Sequence, residues 1–236
     1  MPNKKYLDVR CEDCQFRRNS LFGALCTEES TRVSDAKSCT VYKKGQVLFH
    51  EGTRPLGVFC IYGGKVKVYK LGSDGKEQII RIARESDVLG YKAMISEDEY
   101  PVTAETLEDC TICFLPKSDF LHLVTDSPSF NKRLLQSICH ELGVMSNKLT
   151  NLAQKSVRER FAMALLMLKD TYGIDGEESE EVEINLTRED LANIVGTATE
   201  TLIRLLHDFK EEDLIETRGR KIVVKNPRGL AKAARL

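Results

Sequence analysis

Two groups of residues in this 236-residue chain have side chains that do chemistry at informative spacings. The first lies near the C-terminus. Thr199, Glu200, Ile203, Arg204 and His207 recur at three- and four-residue steps, so on a helix they share one face, opposite Leu202, Leu205, Leu206 and Phe209. Such a face suits a DNA major groove: glutamate accepts from a cytosine amino group, arginine donates to the paired guanine, and isoleucine meets a thymine methyl. Glu200 also has capping-box spacing from Thr197, so it could instead close the helix start. The second group is eight cysteines: Cys11, Cys14, Cys26, Cys39, Cys60, Cys110, Cys113 and Cys139. No apolar signal segment follows the N-terminal MPNKKYLDVR, so they read as cytosolic thiols or ligands rather than as disulfides. A zinc site from Cys11/Cys14 with Cys110/Cys113 is disfavoured, because on a strand Cys110 and Cys113 point to opposite faces.

The elements that must carry these residues separate by pattern. Residues 1–39 are polar and hold four of the cysteines. Over 40–117, short β-rich runs broken by glycines predict an antiparallel sandwich or barrel, with Asp74-Gly75 as a hairpin turn. Over 118–155 the period becomes helical, and Ser127-Pro128 supplies a start signal. There Leu134, Ile138, Leu142, Met145, Leu149 and Leu152 form an apolar seam, long enough to favour a two-stranded homodimer over a helix lying on its own core. Residues 156–236 begin with a capping box at Ser156 and Glu159. The acidic run from Asp175 to Glu183 reads as a solvated loop or hairpin tip.

Within that last region, Thr187 caps a short helix that ends at Gly196, and a second helix follows: a helix-turn-helix. Beyond it, Arg218-Gly-Arg-Lys221 reads as the basic tip of a hairpin wing, placed for a phosphate backbone. An α-hairpin packed for structure alone is the alternative, but it leaves Ile203 exposed without reason. The formal net charge of -1 conceals this, since an acidic stretch offsets seven basic residues between Arg218 and Arg235. No apolar run is long enough to span a membrane, and no nucleophile elbow, phosphate-cradling loop or metalloprotease helix marks an enzyme.

The glycine-turned β-domain, the helical seam and the stretch from Leu186 to Val224, above all Gly-x-x-x-Glu-Thr-x-x-Arg, resemble the cAMP-receptor/FNR (CRP/FNR) family of transcription regulators. The resemblance implies an α+β fold: an N-terminal β-roll of the jelly-roll, cyclic-nucleotide-binding-like type, a long dimerisation helix and a C-terminal winged helix-turn-helix. It implies a cytoplasmic homodimer on palindromic operator DNA with RNA polymerase as a further partner, reading bases through Thr199, Glu200, Ile203 and Arg204. Thr187, Arg188, Arg218, Arg220 and Lys221 are the other expected DNA contacts.

An effector pocket is expected at Gly90, Tyr91, Tyr100, Pro101, Val102 and Met145. The arginine–serine pair that grips the cAMP phosphate in such proteins is Tyr100-Pro101 here, and Met145 replaces the purine-holding threonine. An uncharged pocket does not hold a phosphate, so cAMP is not the expected ligand. The oxygen-sensing branch implies an iron–sulfur cluster on Cys11, Cys14, Cys26 and Cys113, although Cys26 lies six residues beyond the expected third position. Free thiols are the other reading, and haem on His50, His122 or His140 is a third.

Overall fold

The fold comes from a computed structural model that describes residues 6–7, 9–173 and 182–236. Most of the acidic run lies outside the described residues. Two compact units separate: residues up to Lys70 with Ile80–Gly143, and Leu71–Ile79 with Val144–Leu236.

The first unit opens with β1 (Tyr6–Leu7), two 3-10 turns (Arg17–Asn19 and Leu21–Ala24) and α1 (Thr27–Ala36). Eight short strands follow: β2 (Ser38–Tyr42), β3 (Val47–Phe49), β4 (Gly57–Gly63), β5 (Val66–Leu71), β6 (Glu77–Ala83), β7 (Val88–Leu89), β8 (Thr103–Thr106) and β9 (Cys110–Pro116), with α2 (Tyr91–Ser96) between β7 and β8. They form two sheets, ordered β1-β2-β9-β4-β7 and β3-β8-β5-β6. The expected hairpin turn forms between β5 and β6, where Gly75 takes a φ of +76° that other residues rarely adopt.

Alternation along the strands gives the sandwich two apolar layers. Phe59, Ile61, Val66, Val68, Ala104 and Ile112 fill one layer. The neighbouring side chains Val58 and Leu115 face a second, shared with Phe22, Phe120, Phe130 and Leu134 from the turns and helices. Register then fixes a less obvious feature. Cys113 of β9 lies opposite Cys39 of β2 on one side and Cys60 of β4 on the other. Directly opposed residues share a face, so three cysteines line up across three strands.

The helical region divides at Ser127 into α3 (Lys117–Asp126) and α4 (Pro128–Gln154). The Ser127 hydroxyl accepts from the Phe130 amide at 3.4 Å, which caps the new start. The expected seam needs correction at its N-terminal end. Leu134 is buried in its own unit's core and Ile138 packs against that core. The exposed apolar positions are Leu135, Leu142, Val144, Leu149 and Leu152, with Met145 half-buried among them. Seven-residue spacing from Leu135 through Leu142 to Leu149 is that of a coiled-coil stripe.

In the second unit α5 (Val157–Tyr172) starts at the expected capping box: Ser156 Oγ accepts from the Glu159 amide at 3.3 Å, and Glu159 Oε2 accepts from the Ser156 amide at 2.7 Å. Then come β10 (Glu183–Asn185), α6 (Arg188–Val195), α7 (Thr199–Glu211), β11 (Ile215–Arg218), β12 (Lys221–Val224) and α8 (Pro227–Ala233). The three strands pair in the order β10-β12-β11. Phe161 stacks on Phe209 at 5.0 Å in a core that includes Leu165, Ile184 and Leu191.

Phe130 is wholly buried, with its ring against Phe22 and Phe120. Phe130→Ala should lower the unfolding free energy by about 3–5 kcal/mol, read from urea titration.

Candidate functional site

The helix-turn-helix is built from local signals. Thr187 Oγ1 accepts from the Asp190 amide at 2.9 Å and caps α6. The helix ends at Gly196, whose φ of +72° lets the chain turn at once into α7. Arg160 of α5 holds that turn, donating from Nε to Val195 O at 3.0 Å and from Nη2 to Gly196 O at 3.2 Å. Helix-end carbonyls that α6 cannot satisfy are thereby paired with a cation, the favoured partner at a helix C-terminus.

On α7, Leu202, Leu206 and Phe209 are buried and Leu205 partly so. Glu200, Ile203, Arg204 and His207 are exposed and Thr199 is half-buried, so the expected reading face is open. Ile203 is 51% exposed, although it is a large apolar residue. Thr197 does not cap this helix. Ala198 occupies the cap position without a side-chain bond, which leaves Glu200 out of a capping box. Helix α7 simply begins one residue later than the Thr197 spacing suggested.

The wing forms where expected, with Gly219 and Arg220 between β11 and β12, but its charges are not equivalent. Arg218 bonds Glu216 at 2.8 Å and lies 3.9 Å from Glu183. Lys221 pairs with Glu183 of the third strand. Arg188 sends its guanidinium to Arg220 O and Gly219 O, both at 3.2 Å, and so braces the wing backbone. Sequence reasoning missed this because Glu183 reaches the wing only through β10–β12 pairing. Arg220 stands exposed at the tip.

In the β-roll, Tyr100 is buried, stacks on Phe49 at 4.0 Å and donates its hydroxyl to Gly57 O at 3.0 Å. Burial pushes the Tyr100 phenol up to about 12, so it stays a neutral donor. Gly90 lies against it: a methyl group there would meet the Tyr100 ring at 3.1 Å. Tyr91 is buried and Val102 partly so, while Pro101 is exposed. Met145 sits on α4. A polar cleft of about 300 Å³ is lined in part by Arg81, Tyr91, Arg133, His140 and Glu141; the sequence named Tyr91 and His140 for other roles and did not single out Arg81, Arg133 or Glu141.

The cysteines regroup. Cys11, Cys14, Cys60 and Cys113 line one narrow cavity of about 40 Å³ with apolar neighbours such as Phe22 and Leu115. Burial, with the Cys11 thiol nearby, pushes the Cys60 thiol well up. Cys26 is not among them; it is exposed at the N-cap of α1. Cys113 is disulfide-bonded to Cys39, so the expectation that all eight remain thiols or ligands is corrected. This bond was not visible in the sequence, because 74 residues separate Cys39 from Cys113 and only strand register joins them.

Among the described residues no three His, Cys, Asp or Glu side chains converge to hold a metal ion. The set Cys11, Cys14, Cys26 and Cys113 therefore does not fit an iron–sulfur cluster in this arrangement. The three histidines are all exposed, on separate elements: His50 beyond β3, His122 on α3 and His140 on α4.

A β-roll, a long helix with an exposed apolar stripe and a winged helix-turn-helix with an open reading face define a DNA-binding regulator. Residues 39–127 match the cyclic nucleotide-binding domain family, and residues 159–233 match the Crp-like helix-turn-helix domain family. The chain is 26% identical to the transcriptional activator protein FnrA of Stutzerimonas stutzeri, over 96% of this chain and 93% of that one. It is 25% identical to the fumarate and nitrate reduction regulatory protein of Escherichia coli K12, over 96% and 90%. Its fold is shared with a CRP/FNR-family regulator from Eubacterium rectale (TM-score 0.73, 21% identity, 92% of this chain and 98% of that one). It is shared also with FixK2 of Bradyrhizobium japonicum (TM-score 0.74, 24% identity, 84% and 96%). The chain is thus a transcription regulator of the CRP/FNR type. No helix among the described residues is long and apolar enough to cross a membrane.

One charged group in the polar cleft sets a pH dependence. Burial pushes Glu141 up, but hydrogen bonds from Lys92 and from Tyr91 Oη (2.7 Å), with Arg81 at 3.6 Å, outweigh it and leave its carboxyl below the ordinary 4.5. A carboxyl lowered by folding contributes stability above its ordinary value, and that contribution is lost as pH falls through the lowered one. The stability advantage of the natural chain over Glu141→Gln should therefore shrink as pH is taken from about 7 to about 3, measured by denaturant unfolding across that range.

Proposed function

We propose that this regulator binds palindromic operator DNA as a homodimer and reads bases through Thr199, Glu200, Ile203 and Arg204. The observation that carries the reading is Ile203, 51% exposed between the charged and likewise exposed Glu200 and Arg204. An apolar side chain held in water on the second helix of a helix-turn-helix finds a partner in a thymine methyl. Glu200 and Arg204 read one G·C pair, and Thr199 sets a difference outside it.

Thr187 and Arg220 contact phosphates, Arg188 acts by bracing the wing, and Arg218 and Lys221 contribute charge that their glutamate partners partly offset. The exposed stripe on α4 supports the dimer. RNA polymerase is the further partner and the cytoplasm the site of action. Cyclic nucleotides are not part of this reading. A phosphate in the β-roll would face Tyr100, whose single hydroxyl already donates to Gly57 O, and neither Tyr100 nor Pro101 carries the positive charge of the missing arginine.

Arg204→Ala should cost about 1–3 kcal/mol of specific affinity and relax selectivity at one base pair, measured by binding to single-substituted operators; equal loss on every sequence would remove the base-reading role. Arg220→Ala should weaken all sequences alike and flatten the dependence of affinity on salt. Leu142→Glu with Leu149→Glu should convert the dimer to a folded monomer in sedimentation and abolish tight operator binding. A dimer that survives both charges would refute the α4 interface.

A further inference from the structure

We propose that the cavity beneath the cysteine row is a thiol–disulfide exchange site, in which the Cys11-x-x-Cys14 pair relays electrons to and from the buried Cys39–Cys113 bond. This goes beyond the operator-binding reading and draws on it in one respect. A DNA-binding regulator works in a compartment that keeps thiols reduced, where a disulfide is a switchable state rather than a permanent staple.

Three observations place the relay. Cys39 and Cys113 are only 3% and 4% exposed, so an outside reductant has little direct access to their bond. Cys113 nevertheless opens onto the cavity that Cys11 and Cys14 also line. Cys14 is half-exposed, so it can face both the cavity and the surroundings. A tight turn, closed by the Cys14 amide on Cys11 O at 3.3 Å, holds the two cysteines as a pair. Cys60 also flanks Cys113, from the neighbouring strand β4, and lines the same cavity, so a Cys60–Cys113 link is the competing outcome of the test.

The exchange balances within the chain. The Cys14 thiolate attacks Cys113 Sγ; a Cys14–Cys113 bond forms and Cys39 leaves with the electron pair of the broken bond. Cys11, as thiolate, then attacks Cys14 Sγ and releases Cys113. The protons given up by Cys11 and Cys14 end on Cys39 and Cys113. The product is a Cys11–Cys14 disulfide and two buried thiols. An external dithiol returns the pair to its reduced form and is itself oxidised to a disulfide; every step runs in reverse under an external disulfide.

The test uses the full-length chain, oxidised by a small-molecule disulfide, then reduced with dithiothreitol, quenched at intervals with N-ethylmaleimide and mapped by peptide mass. The oxidised chain should yield a Cys39–Cys113 linked peptide. Its reduction should be many times slower in Cys14→Ser than in the natural chain or in Cys139→Ser, whose residue is exposed on α4. Cys11→Ser lacks the resolving thiol and should accumulate the Cys14–Cys113 link, which keeps the proposal testable if Cys14→Ser does not fold. Three results would overturn it: an oxidised chain with Cys39 and Cys113 both alkylated, unslowed reduction in folded Cys14→Ser, or a Cys60–Cys113 link in place of the expected one. A fourth would be brown protein carrying iron and sulfide when purified without oxygen, since these thiols would then be cluster ligands. None of these readouts involves DNA, so failure here leaves the operator-binding reading standing, and failure there leaves this one.

Discussion

The aim of the exposed face of α7 depends on how a short helix ends. Helix α6 leaves carbonyls at its C-terminus without intrahelical partners, and the chain must reverse within two residues to begin α7. Gly196 supplies the left-handed conformation, and Arg160 from α5 supplies donors for Val195 O and Gly196 O. That clamp fixes the angle at which α7 leaves the turn together with the packing of its buried Leu202, Leu206 and Phe209. With it, the direction of Glu200, Ile203 and Arg204 is tied to the core through α5, whose Phe161 stacks on Phe209 of the same reading helix. A single guanidinium thus links backbone termination to the aim of the side chains proposed to read bases.

What was legible in the sequence is what local physics decides. The caps at Ser127, Ser156 and Thr187, the turn at Gly196, the Asp74-Gly75 hairpin and the buried face of α7 all follow from spacings of a few residues. The two-layer β-roll was legible as a class, because glycine-bounded alternating runs have few other solutions. Even local signals fail when two are compatible: Thr197 and Ala198 both precede the same helix, and the structure uses the one without a capping side chain.

The remainder depends on register and on which helical turn meets the core. Leu134 and Leu135 are equally apolar, yet one is buried and the other 60% exposed. That choice belongs to the packing of Phe120 and Phe130, not to the period of the seam. The cysteines show the same limit more sharply. Spacing along the chain selected Cys26, whereas strand pairing put Cys60 beside Cys113 and closed a bond to Cys39. Ligand sets drawn from spacing assume that a loop can bend to meet them. Here α1 intervenes, with Cys26 fixed at its start, and it holds that thiol away.

The glutamates of the wing alter what its composition means. Three cations stand within four residues, but two of them already hold carboxylates of β10 and β11. On the proposed operator-binding reading, the phosphate contact of this hairpin would fall chiefly to the exposed Arg220. With two of its three cations partly offset by solvent-accessible glutamates, the hairpin is less basic than its composition suggests, and on the same proposed reading this would limit how firmly it holds DNA of arbitrary sequence.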